Sequence, residues 1–150
     1  MNISSAIIQG AKFLKESFIK NPLLDSELLM IKTIQKERKY ILLNPKRDLN
    51  IVDLNTFQKL IKKRSIGKPI AYLIKKKFFW NSEFLLSDNI LIPRPDTELL
   101  VEKVLDLTAF KNKLNILDIG IGSGCILLSI LKERKSFYGT GIDISKSCLN

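Results

Sequence analysis

The chain has 150 residues, of which 45% are hydrophobic and 27% charged, a composition typical of a soluble globular protein. No apolar run approaches the roughly 20 residues that cross a bilayer, and the N-terminus lacks the basic segment and cleavage site of a signal peptide. Two cysteines and no histidine exclude a typical zinc site and favour reduced thiols, so the sequence predicts no bound metal and a cytoplasmic location.

The formal net charge of +10 is unevenly distributed along the chain. Residues 1–77 hold 17 Lys and Arg against 6 Asp and Glu, whereas residues 78–150 hold 8 against 9. This excess predicts docking of the N-terminal half to an acidic partner, although a solvated lysine-rich face explains the charge at least as well. Apart from residues 78–80, aromatic side chains are not interleaved with the basic clusters, so no direct nucleic-acid binding is predicted.

The first predicted elements are helical. Apolar spacing predicts an amphipathic helix over residues 3–19, with six inward residues: Ile3, Ile7, Ile8, Ala11, Leu14 and Phe18. Asn21 and Pro22 end this helix and begin a second one, whose predicted inner face holds Leu24, Leu28, Ile31 and Ile34. A short helix at 39–43 follows, and then a helix capped by Asp53 or Asn55 with Leu54, Phe57, Leu60 and Ile61 inward.

A break at residues 67–69 separates this region of about four helices from the rest of the chain. Two apolar runs around the polar turn residues Asn81 and Ser82 predict a β-hairpin. Prolines at 93 and 95 then impose an extended path. Asp96 or Thr97 is placed to cap the next helix, whose predicted inner face holds Leu99, Leu100, Val104 and Leu105.

Residues 114–124 form the pattern of a nucleotide-binding turn. A short apolar run predicts a buried parallel strand; it breaks at Gly120, Gly122 and Gly124, and helical spacing resumes over 125–131. A second predicted strand, at 137–143, ends in Asp143, about 20 residues after the first glycine, where such folds place the acid that binds a ribose.

Two residues in or beside this turn indicate which kind of nucleotide it would bind. Cys125 stands where the dinucleotide pattern requires its third glycine, and Asp118 at the strand end would repel a pyrophosphate. A carboxylate there suits a ligand with an ammonium group, and S-adenosylmethionine carries one together with a ribose diol. A tight turn without any ligand is the alternative.

Two segments carry a resemblance to a known family. Ile92-Pro-Arg-Pro-Asp-Thr-Glu98 and Asp118-Ile-Gly-Ile-Gly-Ser-Gly124 closely resemble the bacterial protein-(glutamine-N5) methyltransferases that modify peptide chain release factors, with supporting matches at 25–29 and 67–73. The resemblance covers the N-terminal portion of such a protein and implies an α/β fold in three parts. These are a helical substrate-docking domain at 1–74, a β-hairpin linker at 75–92, and the start of a class I, Rossmann-like methyltransferase domain at 93–150 that is incomplete after its second strand.

The resemblance also implies a reaction and a site. The reaction is methyl transfer from S-adenosylmethionine to the side-chain amide nitrogen of the glutamine in the Gly-Gly-Gln loop of release factors. The implied cofactor residues are Asp118 for the ammonium group, Asp143 for both ribose hydroxyls, and the loop residues beneath them: Gly120, Ile121, Gly122, Ser123 and Gly124. Arg94 and Thr97 either line the pocket mouth or serve in capping and surface pairing.

The acceptor side of the reaction has no counterpart in these residues. The family's Asn-Pro-Pro-Tyr loop is absent from the 150 residues, so no catalytic residue is assigned and the chain alone is not expected to be a competent enzyme. A non-catalytic truncated binding module, or a related methyltransferase with another acceptor, are the alternatives.

Overall fold

The computed structural model describes residues 1–148 and divides the chain into two compact units, residues 1–74 and the residues from 75 onward. The first unit is entirely helical, and the second combines helices with two small two-stranded sheets. A mixed helix and sheet architecture with an N-terminal helical region is therefore confirmed.

Five helices make up residues 1–74, where about four were predicted. They are α1 (Ile3–Glu16), α2 (Pro22–Ile34), α3 (Arg38–Leu43), α4 (Ile51–Ser65) and α5 (Ile70–Ile74). Helix α4 is capped by Asn50, whose side chain accepts a hydrogen bond from the backbone N–H of Asp53. The predicted cap at Asp53 or Asn55 is wrong because the helix begins earlier than either residue.

The core of the helical unit lies between α1, α2 and α4. Its buried residues are Ile3, Ala6, Ile7, Leu14, Leu29, Met30, Ile41, Phe57, Ile61 and Leu73. The inward placement of Ile8 and Phe18 is wrong, since Gly10 takes the buried position on α1 and the helix ends at Glu16, before Phe18.

The predicted inner face of α2 is rotated, and Leu24 is exposed. Two polar residues, Asp25 and Ser26, occupy the inside of this helix instead. The Ser26 hydroxyl donates to the Ile7 carbonyl at 2.8 Å, and the Asp25 carboxylate accepts from Arg64 Nε at 2.7 Å. Both residues are satisfied by partners from other helices, which is the condition for burying polar groups.

The second unit begins with the predicted hairpin. Strand β1 (Lys76–Phe79) pairs antiparallel with β2 (Ser82–Leu85), and the turn lies at Trp80 and Asn81, one residue earlier than expected. Its inward aromatic residues, Phe79 and Phe84, meet edge to face with 6.2 Å between ring centroids. The hairpin thus contributes side chains to the core of this unit.

A 3-10 turn at Pro95–Thr97 leads into α6 (Glu98–Leu107). Thr97 occupies the cap position of α6, but its side chain makes no cap hydrogen bond, and Asp96 lies inside the 3-10 turn. Side-chain capping by either residue is therefore wrong. The inner face of α6 is centred on Val101, with Val104 and Leu105 beside it, while the predicted inward residues Leu99 and Leu100 are exposed.

The second sheet pairs β3 (Asn115–Ile119) in parallel with β4 (Tyr138–Ile142), and α7 (Cys125–Glu133) connects them. This strand–loop–helix–strand order confirms the predicted local elements. The prediction that β3 is a buried strand is wrong, since Leu117 and Ile119 are 58% and 75% exposed. Its apolar side chains alternate between two faces, and only the face of Ile116 joins the core that contains α6 and α7.

Candidate cofactor site

The glycine loop, residues 120–124, folds back over the end of the neighbouring strand. The backbone N–H groups of Gly120 and Ile121 both donate to the Ile142 carbonyl, at 2.8 and 3.1 Å. The Gly124 N–H then donates to the Ile121 carbonyl at 2.8 Å, and α7 begins at the next residue. The loop is thereby fixed at the carboxyl edge of both parallel strands, where α/β sheets bind their ligands.

All three loop glycines have left-handed backbone conformations, with φ of 81° at Gly120, 55° at Gly122 and 73° at Gly124. Residues with a Cβ adopt this region at a cost, so the conformation accounts for the choice of glycine. A Cβ placed on Gly120 would meet no atom within 4 Å. The backbone at Gly120 therefore faces open space, into which a ligand can approach closely, whereas a Cβ on Gly124 would meet Leu128 Cδ1 at 3.0 Å.

Asp143, directly after β4, is tied to the glycine loop. Its Oδ2 accepts from the Gly122 N–H at 2.9 Å, and its Oδ1 accepts from the Ser145 N–H at 2.8 Å. These two backbone donors, Ser145 first, hold the pKa of the Asp143 carboxyl below its usual range, with a further contribution from the Cys148 thiol. The carboxylate is consequently ionised at neutral pH and acts as an acceptor for hydrogen-bond donors.

Asp118, on β3, has a buried carboxylate oxygen with no partner. Its Oδ2 is enclosed and makes no hydrogen bond to any of the described residues. Buried polar atoms are nearly always paired, and a lone buried carboxylate oxygen is costly. An unpaired acceptor at the end of the strand that leads into the glycine loop is what a donor group of a ligand would satisfy.

Cys125, the first residue of α7, is a buried core residue, as the sequence predicts. Burial raises the pKa of its thiol, and the nearby Asp118 carboxylate acts in the same direction while the Ser123 hydroxyl opposes it. The group is therefore a protonated thiol at neutral pH. It lacks the thiolate character of a nucleophile.

A cavity of about 320 Å³ lies beside the loop. Its lining comes from two loop residues and from more distant parts of the same unit: Leu85, Leu86, Ser87, Ile90, Gly122, Ser123 and Cys148. The volume falls at the lower end of the range for small-molecule sites, about 300 to 1,000 Å³. Neither Arg94 nor Thr97 lines this cavity.

Of the residues predicted to bind a cofactor, Gly122 and Ser123 line this cavity, whereas Asp118 and Asp143 do not. The sequence did not predict the contribution of residues 85–90. Segment 85–90 has no motif that indicates a ligand, and its approach to the loop depends on packing between residues more than 30 positions apart. Ile121 packs under the end of the sheet, since its side chain occupies the space that a Cβ on Gly141 would need.

Among residues 1–148, no group of three or more His, Cys, Asp and Glu is arranged to hold a metal ion. None of the helices described above has the length and apolar character needed to span a membrane.

Comparison with known proteins gives a consistent set of matches. Residues 5–74 match the PrmC N-terminal domain family. The chain is 40% identical over 149 residues to the release factor glutamine methyltransferase of Leptospira interrogans, covering 99% of this chain and 52% of that protein. The release factor glutamine methyltransferases of Koribacter versatilis and of Buchnera aphidicola subsp. Schizaphis graminum are 34% and 40% identical over 149 residues, with 53% of each covered. The chain thus spans about half the length of the curated relatives it matches.

Proposed function

We propose that this chain is part of a release factor glutamine methyltransferase, and that the protein transfers a methyl group from S-adenosylmethionine to a peptide chain release factor. The match of residues 5–74 to the PrmC N-terminal domain and the 40% identity to a protein of that name support this assignment. The acceptor is the side-chain amide nitrogen of the glutamine in the Gly-Gly-Gln loop. Residues from 93 onward begin a class I, Rossmann-like methyltransferase domain in this proposal. The parallel pair β3 and β4, joined through the glycine loop and α7, supports that assignment. We expect the protein to act in the cytoplasm, where release factors function.

The unpaired Oδ2 of Asp118 is the single observation that carries the cofactor assignment. An ammonium group offers three N–H donors and a positive charge, so it satisfies the oxygen and neutralises the buried carboxylate. A pyrophosphate would do neither. The amino-acid end of S-adenosylmethionine supplies this ammonium group, which agrees with the position of Asp118 at the start of the loop.

Asp143 retains the capacity to bind a ribose. Its two oxygens hold about four lone-pair positions. The amides of Gly122 and Ser145 use two of them, and the Cys148 thiol and the Ile144 amide make weaker contacts that ribose hydroxyls can replace. The carboxylate can therefore accept the two ribose hydroxyls while its backbone hydrogen bonds keep the loop in place.

S-adenosylmethionine, when bound, supplies a methyl group activated on a sulfonium centre. The remaining loop residues Gly120, Ile121, Ser123 and Gly124 would form the floor beneath its methionine and ribose portions. The orientation they impose matters because an amide nitrogen is a poor nucleophile, its lone pair being delocalised into the carbonyl. Catalysis must then come from holding the nitrogen in line with the methyl group at near-attack distance.

The residues that hold the acceptor glutamine are not assigned in this chain. The Asn-Pro-Pro-Tyr loop to which the resemblance gives that task is not among the 150 residues. The proposal therefore concerns the full-length protein, and it gives these residues the tasks of binding the cofactor and docking the substrate.

The charge of the helical unit supports a docking role. Lys62 and Lys63, in the last turn of α4, are exposed, whereas the adjacent Arg64 is engaged by Asp25. Neither lysine forms an ion pair with another described residue, and two such exposed ammonium groups on a strongly basic unit favour a protein partner with an acidic surface. We propose that this surface belongs to the release factor.

The test combines product analysis with cofactor binding. Full-length protein is incubated with a release factor and methyl-labelled S-adenosylmethionine, and mass spectrometry of the Gly-Gly-Gln peptide is expected to locate one added methyl group on the glutamine. Asp143→Ala should weaken binding of S-adenosylhomocysteine by about tenfold or more, since hydrogen bonds to a charged group are lost.

The matched control for this test is Asp106→Ala, which removes an exposed carboxylate from α6. Its affinity for S-adenosylhomocysteine should equal that of the unmodified protein. Label on a different acceptor would favour a related methyltransferase. Binding of the release factor without any methylation would favour the docking module, and unchanged affinity in Asp143→Ala would contradict the cofactor site.

A further inference from the structure

Ser87 presents a second unpaired polar group in the same unit as the glycine loop. It lies two residues beyond β2, and its Oγ is buried without a hydrogen-bond partner among the described residues. The Ser87 carbonyl, by contrast, accepts a hydrogen bond from the Ile90 N–H at 3.2 Å.

Ser87 lines the cavity together with Gly122 and Ser123 of the glycine loop. A serine side chain has three staggered χ1 rotamers, and a buried hydroxyl without a partner gains from any rotamer in which it finds one. A polar ligand in the cavity would provide that partner. The other lining residues of segment 85–90, which are Leu85, Leu86 and Ile90, carry apolar side chains. Ser87 is thus the polar side chain of this wall.

The hairpin that precedes Ser87 is held in position by polar contacts with two helices. The Trp80 N–H donates to Glu98 of α6 at 2.8 Å, and the Trp80 indole N–H donates to Glu133 of α7 at 3.0 Å. Lys132 donates to the Asn81 carbonyl at 2.8 Å. Because α7 follows directly from the glycine loop, these contacts fix the hairpin and its exit segment relative to that loop.

Ser129, on α7, is the natural comparison for Ser87. Its Oγ is also buried and unpaired, but Ser129 does not line the cavity. A helical serine has the carbonyl of the preceding turn within reach of a rotation, so its hydroxyl needs no ligand. Ser87 lies outside any helix and has no such carbonyl built into its local backbone.

From these observations we infer that Ser87 makes a hydrogen bond to the bound cofactor and that segment 85–90 forms the wall of the pocket facing the glycine loop. The inference rests on the proposed function and adds a cofactor-contacting residue outside the loop and the two acids. A hydroxyl both donates and accepts, so it suits either the polar amino-acid end or the nucleoside of S-adenosylmethionine.

The experiment measures binding of S-adenosylhomocysteine to the full-length protein by calorimetry, together with thermal unfolding of the ligand-free protein. Ser87→Ala should weaken affinity by roughly three- to tenfold, the loss expected for one hydrogen bond. The unliganded variant should melt at the same temperature as the unmodified protein or higher, because it no longer buries an unpaired hydroxyl. Ser129→Ala, the matched control, should leave affinity unchanged, and Ser87→Thr should retain most of it.

A second ligand locates the contact. Methylthioadenosine lacks the amino-acid end, so a loss confined to S-adenosylhomocysteine would assign the hydrogen bond to that end, and a loss for both ligands would assign it to the nucleoside. Either result supports the inference. Unmodified protein that binds neither ligand would overturn the proposed function and this inference together. Normal binding by the unmodified protein with an equal affinity in Ser87→Ala would overturn the inference alone.

Discussion

Leu14, Leu29 and Met30 in the helical unit are completely buried, whereas Leu117 and Ile119 on β3 of the second unit are mostly exposed. The helices bury a stripe of side chains against one another. A strand projects side chains to two faces, and within the described residues only one face of β3 is covered. In the first unit these apolar side chains form a buried core between helices, whereas in the second unit the apolar side chains on one face of β3 are exposed.

Ion pairs differ between the units in the same way. Asp25 and Arg64 form a pair at 2.7 Å whose side chains are 8% and 18% exposed, while Lys76 and Glu83 on the hairpin pair at 2.9 Å with both side chains about half exposed. Water screens the attraction within the exposed Lys76–Glu83 pair, whereas the buried Asp25–Arg64 pair is largely shielded from water. The two pairs have similar N–O distances, but breaking the buried one is expected to cost more stability.

The largest expected effect is at the buried ion pair. Arg64→Met should lower the free energy of unfolding by about 3 to 5 kcal/mol, since it leaves the Asp25 carboxylate buried and unpaired. Lys76→Met, the exposed counterpart, should cost less than about 1 kcal/mol. Urea unfolding followed by far-UV circular dichroism measures both. Equal losses of unfolding free energy in the two variants would contradict the expected difference between the buried and the exposed pair.

The next effect concerns apolar burial. Leu29→Ala in α2 should cost about 2 to 5 kcal/mol because it leaves a cavity in a closed core. Leu117→Ala on the exposed face of β3 should change stability by no more than about 0.5 kcal/mol. The same unfolding measurement applies. A large loss in Leu117→Ala would mean that this face is covered in solution.

A smaller loss is expected at the closest helix contact of the first unit. A Cβ on Gly10 would approach Ser26 Oγ to 2.7 Å and Ile61 Cδ1 to 2.9 Å. Gly10→Ala should therefore destabilise by about 1 to 2 kcal/mol, since overpacking exceeds the gain of roughly 1 kcal/mol in helix propensity. Gly67→Ala serves as the comparison, since its Cβ would meet nothing within 4 Å and any cost would come from its φ of 92° alone. Thermal unfolding separates the two, and a stabilised Gly10→Ala would refute the close packing.

The smallest effect depends on pH and is confined to the second unit. The pKa of Asp143 is lowered by the Ser145 and Gly122 amides from an ordinary value of about 3.8. Its stabilisation of the loop is therefore complete above that value and is lost as the pH falls through the lower folded pKa. The amide signals of Gly122 and Ser145, followed by NMR, should titrate with a midpoint below 3.8. Asp143→Asn should abolish this titration and Asp106→Asn should not; a midpoint at the ordinary value would contradict the hydrogen bonds.

Local chemistry made much of this structure predictable. The order strand, glycine turn, helix and second strand depends on residues close together in the chain, and α7 and β4 lie where periodicity places them. The left-handed φ at Gly120 is likewise a requirement of the turn itself. The binding roles of Asp118 and Asp143 stay predictions, although both carboxylates lie at the edge of the sheet that carries the loop.

Long-range partners account for what the sequence did not predict. The inner face of α2 is rotated because Ser26 finds the Ile7 carbonyl and Asp25 finds Arg64, 39 residues away. The cap of α4 was ambiguous for a different reason. Asn50 and Asp53 form reciprocal hydrogen bonds, the Asn50 side chain donating to the Asp53 carboxylate and accepting from the Asp53 N–H. Both are residue types that commonly cap helices, so residue type alone does not distinguish them. Hydrophobic periodicity predicts neither the long-range partners of buried polar residues nor which of two candidate residues caps a helix.

The hydrogen bond from the Gly122 N–H to Asp143 has a consequence for protein engineering. Under the proposed cofactor assignment, exchanging Asp143 to alter nucleotide preference would also remove this hydrogen bond from the turn after β3. Such a redesign would need a new acceptor for the Gly122 N–H.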